Sequence, residues 1–104
     1  MKVKTSELSG VALDWAVAYI EFNGEYRPIA LPKYSTDWSQ GGLIIEREIS
    51  RLEDLGDEGW EAMGFGFVGY GYTPLIAAMR CYVAIKLGDV VDIPDELVEV
   101  TKCI

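Results

Sequence analysis

Apolar residues recur at helical spacing in three stretches of the chain and alternate with glycine in a fourth. From Ser9 to Ile20, the residues Leu13, Ala16, Val17 and Ile20 share one arc of a helical wheel. Ser9 is one N-cap for this helix and Ser6 the competing one. Trp15 and Tyr19 form a second apolar stripe, and Asp14 is the only charge between Val11 and Ile20. A helix of this kind is expected to be covered on more than one side. Asn23-Gly24 ends it, because both residues tolerate positive φ.

The stretch from Glu25 to Lys33 carries Pro28 and Pro32 and reads as an extended connection. Ser35, Thr36 and Asp37 then precede a second apolar-periodic run, predicting a helix over about Asp37 to Glu48. Gly41-Gly42 weakens its start by up to ~1 kcal/mol per glycine. These glycines are either helix-entry punctuation or room for something to approach the backbone. Residues 49–59 admit two readings: Ile45, Ile49, Leu52 and Leu55 extend the helix, whereas Gly56 and Gly59 mark turns. From Trp60 to Tyr70, aromatic residues alternate with glycines, the pattern of strands packed closely against a helix or a ligand.

Thr73 as N-cap, Pro74 at the first helical position and Gly88 after Leu87 delimit the third helix. Ala77, Ala78, Cys81 and Ala84 make a small-residue face, and Arg80 falls on the arc of Ile76, Val83 and Leu87. No face is properly polar, which predicts a central helix. Residues 2–5 and Val90 to Ile93 read as short strands, followed by a turn and tail from Pro94 to Ile104. The whole predicts an α+β fold, a small two- or three-layer helix/sheet sandwich of about three helices with a short antiparallel sheet. It forms one domain over residues 1–104, with the core at about 3–97 and a tail at 98–104.

Composition narrows the function. Half of the residues are hydrophobic, enough for a core without disulfides or metal. A mean hydropathy of +0.13 for so short a chain implies further buried area, for which a homo-oligomer is the simplest source. The net charge of −8 opposes general nucleic-acid binding, which depends on Lys and Arg neutralising phosphates. Glu53-Asp54, Asp57-Glu58 and the stretch from Asp89 to Glu99 read as solubilising surface. There is no histidine, so Ser-His-Asp and Cys-His catalytic units and the commonest zinc sites are excluded. Cys81 and Cys103 have no metal-ligand spacing. No cofactor or metal is expected. No apolar run reaches the roughly 18 residues of a membrane span, and the first residues lack a signal-peptide core. The expected location is the cytoplasm.

Three groups carry candidate chemistry. The glycines at 64, 66, 69 and 71 precede the Thr73-Pro74 helix start, where free amides favour anions. Their spacing matches neither the P-loop nor the dinucleotide fingerprint, and simple strand-and-turn packing is the competing reading. Tyr34, Ser35, Thr36, Asp37, Trp38 and Gln40 combine ring faces for stacking with groups that bond sugar or base edges. The alternative is a helix cap with Trp38 filling the core. Arg80, in an apolar arc, must snorkel, pair with a carboxylate or meet an anionic ligand. Arg47, between Glu46 and Glu48, reads as a solvated helix charge. No carboxylate among Asp14, Asp37, Glu46 and Glu48 stands out as half of a catalytic pair.

Three strings carry a resemblance. They are Lys4 to Gly10 continuing through Leu13-Asp14-Trp15-Ala16-Val17-Ala18, then Tyr34 to Gly42, then Thr73 to Val83. The chain resembles the NinX-type proteins of tailed bacteriophages, a family of unknown function, from about residue 4 to Leu97. More distantly it is similar to small phage domains with a helix-sheet-helix sandwich. The resemblance implies a phage accessory protein acting inside an infected bacterium rather than a virion component. It brings no catalytic residues.

Small phage accessory proteins often act by binding, and some sequester nucleotide-derived defence signals. That class analogy, with the residues above, leads to an expected non-enzymatic binder of a small anionic nucleotide-like ligand. Thr73 and its helix amides would hold phosphate with Arg80 as counter-charge. Trp38 or Tyr72 would stack on the base, and Ser35, Thr36, Asp37 and Gln40 would bond sugar or base. The alternative is an interaction module for a host or phage protein, marked by an exposed aromatic patch at Trp15 and Tyr19. A hydrolase acting on nucleotide signals is the third reading and predicts turnover.

Overall fold

The structure, a computed structural model, describes residues 1–24, 31–95 and 97. Pro28, the tail at 98–104 and Cys103 lie outside the described residues. Within them the order of elements is β1 (Lys2–Lys4), α1 (Gly10–Glu21), α2 (Trp38–Glu48), β2 (Arg51–Asp54), β3 (Trp60–Gly64), β4 (Phe67–Gly71), α3 (Pro74–Leu87) and β5 (Val90–Asp92). Short 3-10 turns occupy Thr5–Glu7 and Gly56–Glu58. This is an α+β fold of three helices and antiparallel sheets among the described residues.

The helix punctuation works as the residue types dictate. Thr73 Oγ1 accepts from the Ile76 amide at 3.1 Å, Pro74 opens α3, and Gly88 at φ 89° closes it. Asp37 caps α2, its Oδ1 accepting from the Ser39 amide at 2.9 Å. Ser9 stands at the N-cap of α1 but makes no side-chain cap bond. Asn23 (φ 53°) and Gly24 (φ 79°) turn the chain out of α1 as their types allow.

Helix α3 is the centre of the molecule. Leu75, Ala77, Ala78, Met79, Cys81, Tyr82, Val83 and Ala84 are all buried, because α1 and α2 pack on it and β3 and β4 lie against it. Its small-residue face meets the glycines of β4. A Cβ at Gly69 would sit 2.4 Å from the Ala77 carbonyl oxygen and 2.5 Å from the Cys81 amide nitrogen. Likewise, a Cβ at Gly64 would sit 2.4 Å from the Glu48 carbonyl oxygen, and one at Gly71 2.6 Å from Ile76 Cγ2. Three of the four glycines considered as a phosphate cradle are therefore absorbed by helix–sheet packing. The fourth, Gly66 (φ 82°), shares a two-residue hairpin turn with Phe65 (φ 49°).

The strands form two separate antiparallel sheets, β1-β5 and β2-β3-β4. Of the two readings for residues 49–59, turns prevail: α2 stops at Glu48, and Arg51–Asp54 pairs with Trp60–Met63. Gly69 and Gly71 point to α3, so the strand period turns Val68, Tyr70 and Tyr72 to the opposite, helix-free side. Lys4 and Val90, directly paired in the small sheet, flank Val3 and Val91, of which Val91 is buried. Lys4 and Val90 thus lie on the exposed side of that sheet.

Candidate functional site

Where the two sheets part, the edge of β4 opens onto a cleft of about 500 Å³. One wall is β4, with Val68, Tyr70 and Tyr72; the other is the end of β1, with Lys4, Thr5 and Ser6. Arg80 and Ala84 of α3 form the floor, and Asp89, Val90 and Glu58 complete the rim.

Arg80 is the only element of the floor with a charge. Its Nε donates to the Leu8 carbonyl at 2.7 Å and its Nη1 to the Tyr70 carbonyl at 2.7 Å. One guanidinium therefore ties β4 to the segment that follows β1. No carboxylate of a described residue lies within ion-pair distance of it, and Nη2 has no protein partner among those residues. Burial pulls its pKa down, opposed by the nearby Tyr72 hydroxyl, yet a guanidinium stays charged at neutral pH. The floor is a half-buried cation held by two carbonyl oxygens and by no carboxylate of a described residue.

Lys4 adds a second cation to the lining, and Glu58 and Asp89 two carboxylates. Tyr72 is 88% exposed. Thr5 is buried, with its Oγ1 donating to the Gly88 carbonyl at 2.6 Å, which fixes the β1 wall to the end of α3.

The sequence-derived site residues separate. Arg80 and Tyr72 line the cleft. Thr73 follows Tyr72 directly, but its hydroxyl is engaged in capping α3. Tyr34, Ser35, Thr36, Asp37, Trp38 and Gln40 do not line the cleft; they build the entrance of α2. There the Gln40 amide nitrogen donates to Asp37 Oδ2 at 2.8 Å, and Gln40 Oε1 accepts from the Lys33 amide at 3.0 Å. Hydrogen bonds from Ser39 and Gln40 hold the Asp37 pKa below its usual value. The buried Ser35 donates its amide to Asp14 Oδ1 at 2.8 Å, while Tyr34 is buried and Thr36 exposed. Trp38 is 54% exposed and does not fill the core. The core position beside it belongs to Gly41, where a Cβ would fall 2.3 Å from the Tyr34 carbonyl oxygen.

Arg47 is an exposed charge on α2 as expected, and it is also paired: Nη2 meets Glu21 at 2.8 Å and the Tyr82 hydroxyl at 3.1 Å, and Nε meets Glu48 at 2.8 Å. Tyr82 donates in turn to Glu21, so α1, α2 and α3 are clamped together away from the cleft. Cys81 is buried, which pushes its thiol up to about 11 and makes it an inert packing residue. Among the described residues no group of three His, Cys, Asp or Glu side chains is placed to hold a metal. No helix among them is long and apolar enough to cross a membrane.

Lys4, Thr5, Ser6, Glu58, Tyr70, Asp89 and Val90 escaped sequence reasoning. A signal existed for Tyr70: Gly69-Tyr70-Gly71-Tyr72 places small residues on one face of a strand and rings on the other.

The fold and cleft define a small α+β protein with an aromatic-walled, arginine-floored recess. The chain belongs to the bacteriophage P22 NinX family, whose model matches residues 4–86. No curated protein matches it.

Proposed function

We propose that the protein is a phage accessory factor that acts in the infected bacterium by binding a small, anionic, nucleotide-like ligand in the cleft between the two sheets. The observation that carries this reading is Arg80. A half-buried guanidinium held by two carbonyls, with no carboxylate partner among the described residues, keeps its charge for a ligand, and an anion seated on it gains charge-assisted hydrogen bonds. Tyr70 and Tyr72 supply ring faces for a base. The polar residues at the entrance of α2 serve the fold in this reading, and the phosphate site moves from the Thr73 helix amides to Arg80 and Lys4.

Charge sets the class of ligand more narrowly. Lys4 and Arg80 are matched in the lining by Glu58 and Asp89, so the recess is neutral overall within a chain of net charge −8. A singly phosphorylated or cyclic nucleotide suits it; a triphosphate would meet more repulsion than it recovers. The two carboxylates suit donors such as a ribose diol or an amino edge of a base. In this reading the ligand is held rather than turned over, and its recovery unaltered after long incubation is the expected outcome.

Nuclear magnetic resonance titration with nucleoside 5′-monophosphates, their cyclic forms and triphosphates tests the assignment. The expected result is saturable shifts at Lys4, Tyr70, Tyr72 and Arg80, stronger for the monophosphates. Shifts confined to the Asp37–Gln40 region would contradict it.

A second reading rests on a separate observation. Phe65, Phe67 and Val68 are exposed and run from the cleft to the tip of the β3–β4 hairpin. This apolar edge fits a host or phage protein as partner, and a pull-down lost on Phe65→Asp would support it.

A further inference from the structure

The two sheets leave four strand edges, and three are guarded. The outward peptide groups of β1 belong to Lys2 and Lys4, and β2 carries the Arg51–Glu53 ion pair at 3.2 Å together with Asp54. Charged residues of this kind discourage strand addition. On β4, Arg80 already occupies the Tyr70 carbonyl.

The edge of β5 is different. The Thr5 amide donates to Asp89 at 2.8 Å and the Ile93 amide to Met1 at 2.9 Å. With Val3 opposite Val91, the antiparallel alternation turns the peptide groups of Val91 toward β1 and those of Val90 and Asp92 outward. Val90 and Asp92, with Trp15, Tyr19 and Leu87, line a second groove of about 380 Å³ between β5 and α1. The Trp15 and Tyr19 rings stand 5.2 Å apart at its side. Tyr19 is 41% exposed and Val11, two turns earlier on the same stripe, is 37% exposed.

We infer that a second copy of this chain docks here, β5 against β5 and antiparallel, about a two-fold axis through Val91. That axis sets Val90 opposite Asp92 of the second copy, and each such pair exchanges both of its peptide hydrogen bonds. No outward peptide group of either β5 is left over. The result is one continuous sheet in the order β1-β5-β5-β1, with the two Val11–Trp15–Tyr19 stripes packed together beside it.

Charge favours self-association on this face above others. Over most of its surface a chain of net charge −8 repels its own copy. Here the Met1 ammonium stands 3.0 Å from both Asp92 and Asp95, Asp14 is buried, and Glu21 is engaged by Arg47 and Tyr82. Size also agrees. A stable interface buries ~800 Å² per partner, about one eighth of the 6305 Å² that the chain exposes. A helix of 12 residues, ~18 Å long, with a strand alongside it offers a face of that order.

Sedimentation over a wide concentration range, combined with amide hydrogen exchange, tests the inference. The expected species has twice the 11.6 kDa mass of one chain. Tyr19→Lys and Val11→Lys are expected to weaken association at least tenfold without changing the circular dichroism, whereas Phe65→Lys leaves it intact. Exchange at the Val90 and Asp92 amides slows as concentration rises, while Val91 is protected throughout. A single-chain mass at every concentration overturns the inference. So does a dimer that dissociates on Phe65→Lys but not on Tyr19→Lys, or exchange at Val90 and Asp92 indifferent to concentration.

Discussion

Arg80 donates from Nη1 to the Tyr70 carbonyl at 2.7 Å, and this bond joins the floor of the cleft to its aromatic wall. The same guanidinium holds Leu8 from Nε at 2.7 Å, so it shapes the recess as well as charging it. Arg80→Met strips partners from two carbonyls, and each hydrogen bond to a charged group contributes ~1.5–3 kcal/mol. The expected outcome is a lower urea midpoint together with loss of anion binding. Arg80→Lys keeps the charge but cannot span both carbonyls. It is expected to recover part of the anion affinity and little of the stability, as parallel denaturation and titration of the variants would show.

Gly41 and Gly42 are neighbours in the first turns of α2, yet alanine is expected to have opposite effects at the two. At Gly41 the new methyl would meet the Tyr34 carbonyl oxygen at 2.3 Å and Leu75 Cδ2 at 2.7 Å, and overpacking of this kind costs ~1–3 kcal/mol. At Gly42 the nearest atom is Trp38 Cε3 at 3.8 Å, ordinary contact, so the helix gain of up to ~1 kcal/mol is realised. Urea midpoints of Gly41→Ala and Gly42→Ala should fall on either side of the wild type.

The pair shows what the sequence discloses and what it withholds. The Gly41-Gly42 text offered two readings, and only the approach of Tyr34 and Leu75 decides between them. Helix limits were legible because caps are local: Thr73-Pro74 and Gly88 bound α3, and Asp37 caps α2, with no help from distant residues. The stretch holding Ile49, Leu52 and Leu55 was not legible, since its apolar spacing suits a helix and a strand equally until Trp60–Met63 is there to pair with it. Arg80 could be singled out because a charge in an apolar arc needs a reason. Lys4, Ser6 and Asp89 could not, because only the pairing of β1 with β5 brings the two ends of the chain to one recess. The polar cluster from Tyr34 to Gln40 was open to two readings for a related reason: capping, which Asp37 performs, and ligand binding use the same side chains.

Asp14 gives the fold a distinctive pH response. Burial raises its pKa above the ordinary 3.8, partly offset by hydrogen bonding from Ser35. The native state therefore holds this proton more tightly than the unfolded chain does. The contribution of Asp14 is most favourable below the unfolded value and is lost as pH rises through the raised native one. Asp14→Asn, which retains an acceptor for the Ser35 amide, removes that loss. Its urea midpoint relative to wild type should rise with pH across the window just above 3.8 and level off beyond it. A difference independent of pH would show that the carboxyl is not desolvated.

The arginine-floored cleft is predicted to capture an anion from the infected cell. Native mass spectrometry of the wild-type protein and of Arg80→Met, each exposed to lysate of phage-infected bacteria, measures this directly. The predicted result is a reproducible small-mass adduct on the wild type, released unaltered on denaturation and missing from a folded Arg80→Met. A bare mass for the wild type, or an adduct that Arg80→Met retains in full, would contradict it.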